Sequence, residues 1–116
     1  MSDRRHILIV EDEPLIAMML EDFLDALDHE ATATVDTVAE ALEKITAGGI
    51  DGAILDINLR GGEQCWPIAD ALAAAGIGFV LASGGSADSI VEAHRNRPLL
   101  SKPFTMAAVS KALAAL

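Results

Sequence analysis

Five apolar runs alternate along the chain with five stretches of helical spacing. His6-Ile7-Leu8-Ile9-Val10 is apolar on both faces, as a central parallel strand should be. Pro14 follows an acidic trio and suits the first turn of a helix. Leu15, Ile16, Met19, Leu20, Phe23, Leu24 and Leu27 then recur at the spacing of one helix face. Glu30–Val35 alternates polar and small residues and reads as an edge strand. Asp36 or Thr37 can cap a second helix carrying Val38, Leu42 and Ile45, stopped by Gly48-Gly49. Gly52–Ile57 is a third strand, and Arg60-Gly61-Gly62-Glu63 is a loop. A third helix runs from about Gln64 to Ala75, with Pro67 in its first turn. Gly78–Ala82 is a fourth strand, Ser83-Gly84-Gly85-Ser86 a loop, and a short helix runs to about Arg95. Leu99-Leu100 marks a short fifth strand ending at Lys102-Pro103. Thr105 can cap a last helix with Met106, Val109, Leu113 and Leu116 on one face. This β-α alternation predicts an α/β fold, a parallel sheet covered by helices on both faces.

Length sharpens that picture. A chain of 116 residues fits one domain over 1–116, with no effector domain expected. Its folded surface should be roughly 6,000 Å2 against about 17,500 Å2 unfolded, enough burial for a core without staples. No apolar run approaches the roughly 18 residues of a membrane span, and no signal-peptide pattern opens the chain. The expected location is cytoplasmic, with no membrane partner. Eighteen acidic against eight basic residues give a net charge of −10, which repels phosphate backbones and argues against nucleic-acid binding. The single cysteine, Cys65, reads as a small packing residue.

The polar residues that interrupt the apolar pattern share one position. Glu11 and Asp12 follow the first strand, Asp56 ends the third, Ser83 follows the fourth, and Lys102 follows the fifth. In an open parallel sheet those ends lie on one edge, where ligands bind. Three carboxylates about 5 Å apart repel pairwise by roughly 3 kcal/mol at an effective dielectric near 20. One divalent cation plus the Lys102 ammonium would balance them. Oxygen ligands without His or Cys favour Mg2+ over zinc. His6, His29 and His94 fall off this edge and read as structural or surface residues, and Trp66 as packing at a helix start.

On these residues the chain resembles the receiver domain of bacterial two-component response regulators. The resemblance rests on Glu11-Asp12 after an apolar strand, on Asp56 in Ile54-Leu55-Asp56-Ile57-Asn58-Leu59, on Ser83-Gly84, and on Lys102-Pro103-Phe104. It covers essentially the whole chain. It implies the CheY-like, flavodoxin-like (βα)5 fold with strand order 2-1-3-4-5. It implies that Asp56 is the phosphoacceptor for a sensor histidine kinase or histidine phosphotransfer protein. Mg2+ would be held by Asp12, Asp56, the main-chain carbonyl of Asn58, and Glu11 through water. Lys102 would pair with the phosphoryl group and Ser83 would hydrogen-bond it. Such a domain catalyses its own phosphorylation and dephosphorylation but is not a conventional enzyme. Pro103 is expected to be cis, aiming Lys102.

Two departures from the family pattern stand out. Leu99 occupies the usual position of a switch aromatic, and the chain has no tyrosine. Gly78-Phe79-Val80-Leu81-Ala82-Ser83-Gly84-Gly85 partly matches the Pro-Phe-x-Phe-Ala-Thr-Gly signature of a receiver subgroup that lacks this aromatic. Phe79, Ala82 and Gly84 match; Gly78 and Gly85 do not. Members of that subgroup resemble partners of HWE-type kinases. Gly85 stands where a side chain usually positions or blocks the hydrolytic water, and Gly84-Gly85 makes the next helix start a candidate mobile segment. The expected output is protein–protein signalling or a phosphate sink, with homodimerisation through helix 4, strand 5 and helix 5 as a family habit. The alternatives are a phosphorylation-independent binding module and a small Mg2+ phosphohydrolase. The latter usually has a second aspartate where this chain has Asn58.

Overall fold

Alternate strand residues face opposite sides of a sheet, and here both sides are buried. A computed structural model describes residues 5–84, 90–102 and 104–116. Its strands are β1 (His6–Val10), β2 (Glu30–Val35), β3 (Gly52–Asp56), β4 (Gly78–Ser83) and β5 (Leu99–Ser101). They form one parallel sheet in the order β2-β1-β3-β4-β5. Among the described residues, four α-helices cover it: α1 (Pro14–Ala26), α2 (Val38–Ala47), α3 (Trp66–Ala74) and α4 (Met106–Ala114). The accessible surface, 6197 Å2, is what this chain length leads one to expect.

The core splits along the strand alternation. Leu8, Val10, Ala53, Leu55, Phe79 and Leu81 pack with Ala41 of α2 and with Ile68 and Leu72 of α3. Ile7, Ile9, Ile54, Val80, Ala82 and Leu100 pack with Leu20 and Leu24 of α1 and with Val109 and Leu113 of α4. β2 sits at the edge and alternates exposed and half-buried residues, as its composition predicts. Cys65 is buried in the first of these clusters.

Helix ends follow local chemistry. Pro14 opens α1 and Pro67 lies in the first turn of α3. Of the two candidate caps for α2, Thr37 takes the role: its hydroxyl accepts from the Glu40 N–H. Thr105 caps α4 through the Ala108 N–H. The left-handed residue closing α1 is Asp28 (φ 64), an aspartate where glycine is commoner.

The stretch expected to form a fourth helix differs. Residues 85–89 lie outside the described residues, and beyond them stands only a 3-10 turn, Glu92–His94. The β-branched Ile90 and Val91 precede it, and the Val91 backbone is extended (φ −62, ψ 148). Its His94 is buried, stacked on Trp66 with ring centroids 6.1 Å apart and edge-on to Phe79 at 5.4 Å. Asp70 of α3 holds His94 Nε2 at 2.8 Å. Trp66 and His94 are therefore packing partners.

Candidate functional site at the carboxyl edge of the sheet

Strand parity brings three charged groups to one spot. Glu11 continues the row of Ile7 and Ile9, Asp56 that of Ile54, and Lys102 that of Leu100; all these apolar neighbours face α1 and α4. Register completes the placement. Val10 pairs with Leu55, so Glu11 and Asp56 come next to each other as the strands end. Ser83 pairs with Ser101, and the Lys102 N–H donates to the Ser83 carbonyl at 2.9 Å.

Lys102 Nζ lies 2.9 Å from Glu11 Oε1 and 3.0 Å from Asp56 Oδ2. Both carboxylates are buried. The other Glu11 oxygen accepts the backbone N–H of Asp12 at 3.0 Å and of Glu13 at 3.4 Å, which folds the acidic turn around it. The other Asp56 oxygen accepts the Asn58 N–H at 3.3 Å. Ligand oxygens of Glu11, Asp12 and Asp56 lie within 4.8 Å of one another. Asp12 is half-buried and borders a cleft of about 290 Å3 that Glu13, Asp56, Asn58, Gly84 and Lys102 also line.

One ammonium cannot balance two buried carboxylates. Burial, reinforced by the neighbouring Asp56, pushes the Glu11 carboxyl up from 4.5 to about 8. Burial alone would pull Lys102 down, but its hydrogen bonds to Glu11 and Asp56 outweigh that and leave its pKa raised. Burial also pushes the Cys65 thiol up to about 12, so that group is inert.

The donor set fits a small hard cation. It is all oxygen, it carries surplus negative charge, and its half-buried Asp12 faces a water-accessible cleft. Mg2+ would be held there by Asp12 and Asp56, with Glu11 behind them.

The structure thus gathers Glu11, Asp12, Asp56 and Lys102, with the Asn58 backbone against Asp56. Ser83 is buried at the end of the adjacent strand. The sequence reading assigned Lys102 to an incoming phosphoryl group and did not find its contact with Glu11. Strand parity was the available signal. Pro103 and Gly85, and with them the cis-peptide and hydrolytic-water expectations and the start of the mobile segment, lie outside the described residues. Leu99 is half exposed on β5.

Comparison with known proteins gives the same picture. The profile of the response regulator receiver domain family matches residues 7–114. The solution structure of SdrG from Sphingomonas melonis Fr1 is 64% identical, covers 99% of this chain and 98% of its own, and superposes with a TM-score of 0.90. The BeF3-activated conformation of SdrG from Pseudomonas melonis Fr1 matches with the same identity and coverage and a TM-score of 0.83. The phyllosphere-induced regulator PhyR of Methylorubrum extorquens is 42% identical over 59 residues, half of this chain but only 22% of that protein. With its sheet order, its acidic edge and a family match over nearly its full length, this chain belongs to the response regulator receiver domain family.

Proposed function

We propose that this receiver accepts a phosphoryl group on Asp56 from the phosphohistidine of a sensor kinase or a histidine phosphotransfer protein, with Mg2+ as cofactor. The observation that carries this reading is the placement of Asp56. Its carboxylate ends a buried strand, 3.0 Å from Lys102 Nζ, with Glu11 and Asp12 oxygens within 4.8 Å. In transfer, an Asp56 oxygen forms the new P–O bond while the P–N bond to the donor imidazole breaks. The electron pair of that bond stays on the imidazole nitrogen, which then takes up a proton. Lys102 would move from the Glu11–Asp56 pair onto the phosphoryl oxygens, and the Ser83 hydroxyl would donate to one of them. Bound Mg2+ supplies charge neutralisation for the crowded oxygens.

The surface beside the cleft suits a protein donor. Leu15 and Met18 of α1 are exposed, 80% and 58%, although both are large and apolar. Leu15 and Ile16 border a groove of about 480 Å3 that also reaches Lys102 and Phe104. With a net charge of −10, the chain favours a donor with a basic rim. The subgroup resemblance favours a kinase of the HWE type. Exposed Val91, Leu99 and Met106 lie on the elements expected to form the output face, available to a downstream protein or to a second copy. We read this domain as a cytoplasmic receiver that signals by contact or drains phosphate. No helix among the described residues is long and apolar enough to cross a membrane.

Intact mass after incubation with a small phosphodonor tests the reading. The expected result is a Mg2+-dependent gain of one phosphoryl group, absent in Asp56→Asn. A gain that survives in Asp56→Asn overturns the assignment. No gain from a phosphorylated histidine kinase either would leave the binding-module alternative.

A further inference from the structure

We infer that Glu63 is a positioning residue for the cation and phosphoryl site, a role that rests on the function proposed above. The loop between β3 and α3 closes tightly on itself. The Cys65 N–H donates to the Ile57 carbonyl at 3.0 Å, and the Leu59 N–H to the Glu63 carbonyl at 2.7 Å. Asn58 and Gln64 form an antiparallel bridge across it. Gly61 (φ 73) and Gly62 (φ 80) make the reversal in a backbone region that disfavours side chains. This closed loop carries Asn58, whose N–H donates to Asp56 Oδ1 at 3.3 Å.

Glu63 ties that loop to a helix. Its Oε1 accepts the Val38 N–H at 3.2 Å. Val38 is the first residue of α2, so its N–H has no partner within the helix. The helix's own capping pair is occupied elsewhere: the Thr37 hydroxyl accepts from the Glu40 N–H and donates to Glu40 Oε1. The Glu63 carboxylate therefore serves a donor the cap does not reach, at the end of the helix dipole that favours negative charge. α2 is anchored by the fully buried Ala41. The result is a short relay from a docked helix through Glu63 to Leu59 and Asn58, and so to Asp56. It fixes the height of the Asn58 backbone, whose carbonyl the family resemblance makes a cation ligand. Glu63 touches neither cation nor phosphoryl group; it acts through the loop.

Glu63→Ala and Glu63→Gln separate this role from simple helix capping. Glu63 is exposed, so both variants should fold. Two readouts are used: amide hydrogen exchange at Asn58 and Leu59 without metal, and Mg2+ affinity from amide shifts. Glu63→Ala should speed exchange at both amides and weaken Mg2+ binding about fivefold, the scale of one lost ordinary hydrogen bond. Glu63→Gln keeps an accepting oxygen and should stay within about twofold of wild type. Unchanged Mg2+ affinity in Glu63→Ala would overturn the inference, as would exchange that changes only at Val38. Equal losses in both variants would overturn it too, since charge alone would then explain them. Failure of the wild type itself to bind Mg2+ would instead bring down the function on which the inference rests.

Discussion

The two edges of the sheet carry similar residues in opposite electrostatic states. At the carboxyl edge, Glu11 and Asp56 are buried and share the single ammonium of Lys102. At the amino edge, carboxylates meet donors in the open. The His6 backbone N–H donates to Asp51 at 2.9 Å, its ring lies 3.0 Å from the same oxygen, and Glu30 stands 3.9 Å from the other ring nitrogen. Arg5 donates to the Leu113 carbonyl at the end of α4. The consequence is visible in the proton affinities. Burial pushes Glu11 up to about 8, whereas the His6 N–H pulls Asp51 below its usual value. The amino edge is also closed by packing. Gly52 and Gly78 pair across β3 and β4, and a Cβ added at either would come within 3.1 to 3.3 Å of Leu116. One edge is compensated and sealed. The other keeps surplus negative charge, which suits the cation proposed above, and this is where local rules are expected to fail in favour of function.

The largest effect should come from removing the shared ammonium. Lys102→Met without metal leaves two buried carboxylates with no counter-charge. At pH 8 it should cost about 3 kcal/mol in urea denaturation. The pH dependence has a definite sign. Glu11 has a folded pKa above its ordinary 4.5, so its contribution to stability is complete below about 4.5 and is lost as pH rises to about 8. Metal-free wild type should therefore weaken over that range, and millimolar Mg2+ should restore it. The Lys102→Met deficit should shrink at pH 5, where the Glu11 carboxyl holds its proton. A Lys102→Met protein as stable as wild type at pH 8 would remove the contrast between the edges.

A smaller effect, of different character, is expected at the sealed edge. Leu116 is half-buried against Gly52 and Gly78. Leu116→Ala should cost about 1.5 kcal/mol, less than a fully buried leucine would. Because the loss is one of packing, it should be the same at pH 5 and pH 8, and Mg2+ affinity should not change. A loss that varies with pH would mean the two edges are electrically linked.

Much of this was legible in the sequence, for a physical reason. Strands buried on both faces leave unbroken apolar runs, so β1, β3 and β4 announce themselves, and carboxylates ending such runs stand out. Glu11, Asp12 and Asp56 stand out that way, and Lys102 by its place after the short fifth run. Contacts that cross between elements left no such trace. His94 reads only as a structural or surface residue, and the sequence does not name its partners: it is buried against Trp66 and Phe79 with Asp70 on its Nε2. Glu63 sits in a polar loop, where a glutamate is unremarkable, and its partner Val38 lies 25 residues away. In the described part of the fourth helical stretch, the β-branched pair Ile90-Val91 leads into a 3-10 turn where a helix is expected.

The smallest predicted effect isolates the compensated edge. Asp51 lies below its ordinary 3.8, first through the His6 backbone N–H and then through the His6 side chain. A depressed carboxylate contributes stability above the unfolded value, and that contribution is lost as pH falls through the folded one. Wild type should therefore lose stability progressively below about pH 3.8 in part through this group. Asp51→Asn keeps an oxygen able to accept the His6 N–H but cannot titrate. Its stability should fall less steeply over that acid range and should match the wild-type slope between pH 5 and 8, where Glu11 governs. Denaturant midpoints at half-unit pH steps would resolve the two limbs. An unchanged acid limb in Asp51→Asn would mean that the His6–Asp51 contact does not outlast solvent competition. The electrostatic contrast would then lie in the buried site alone.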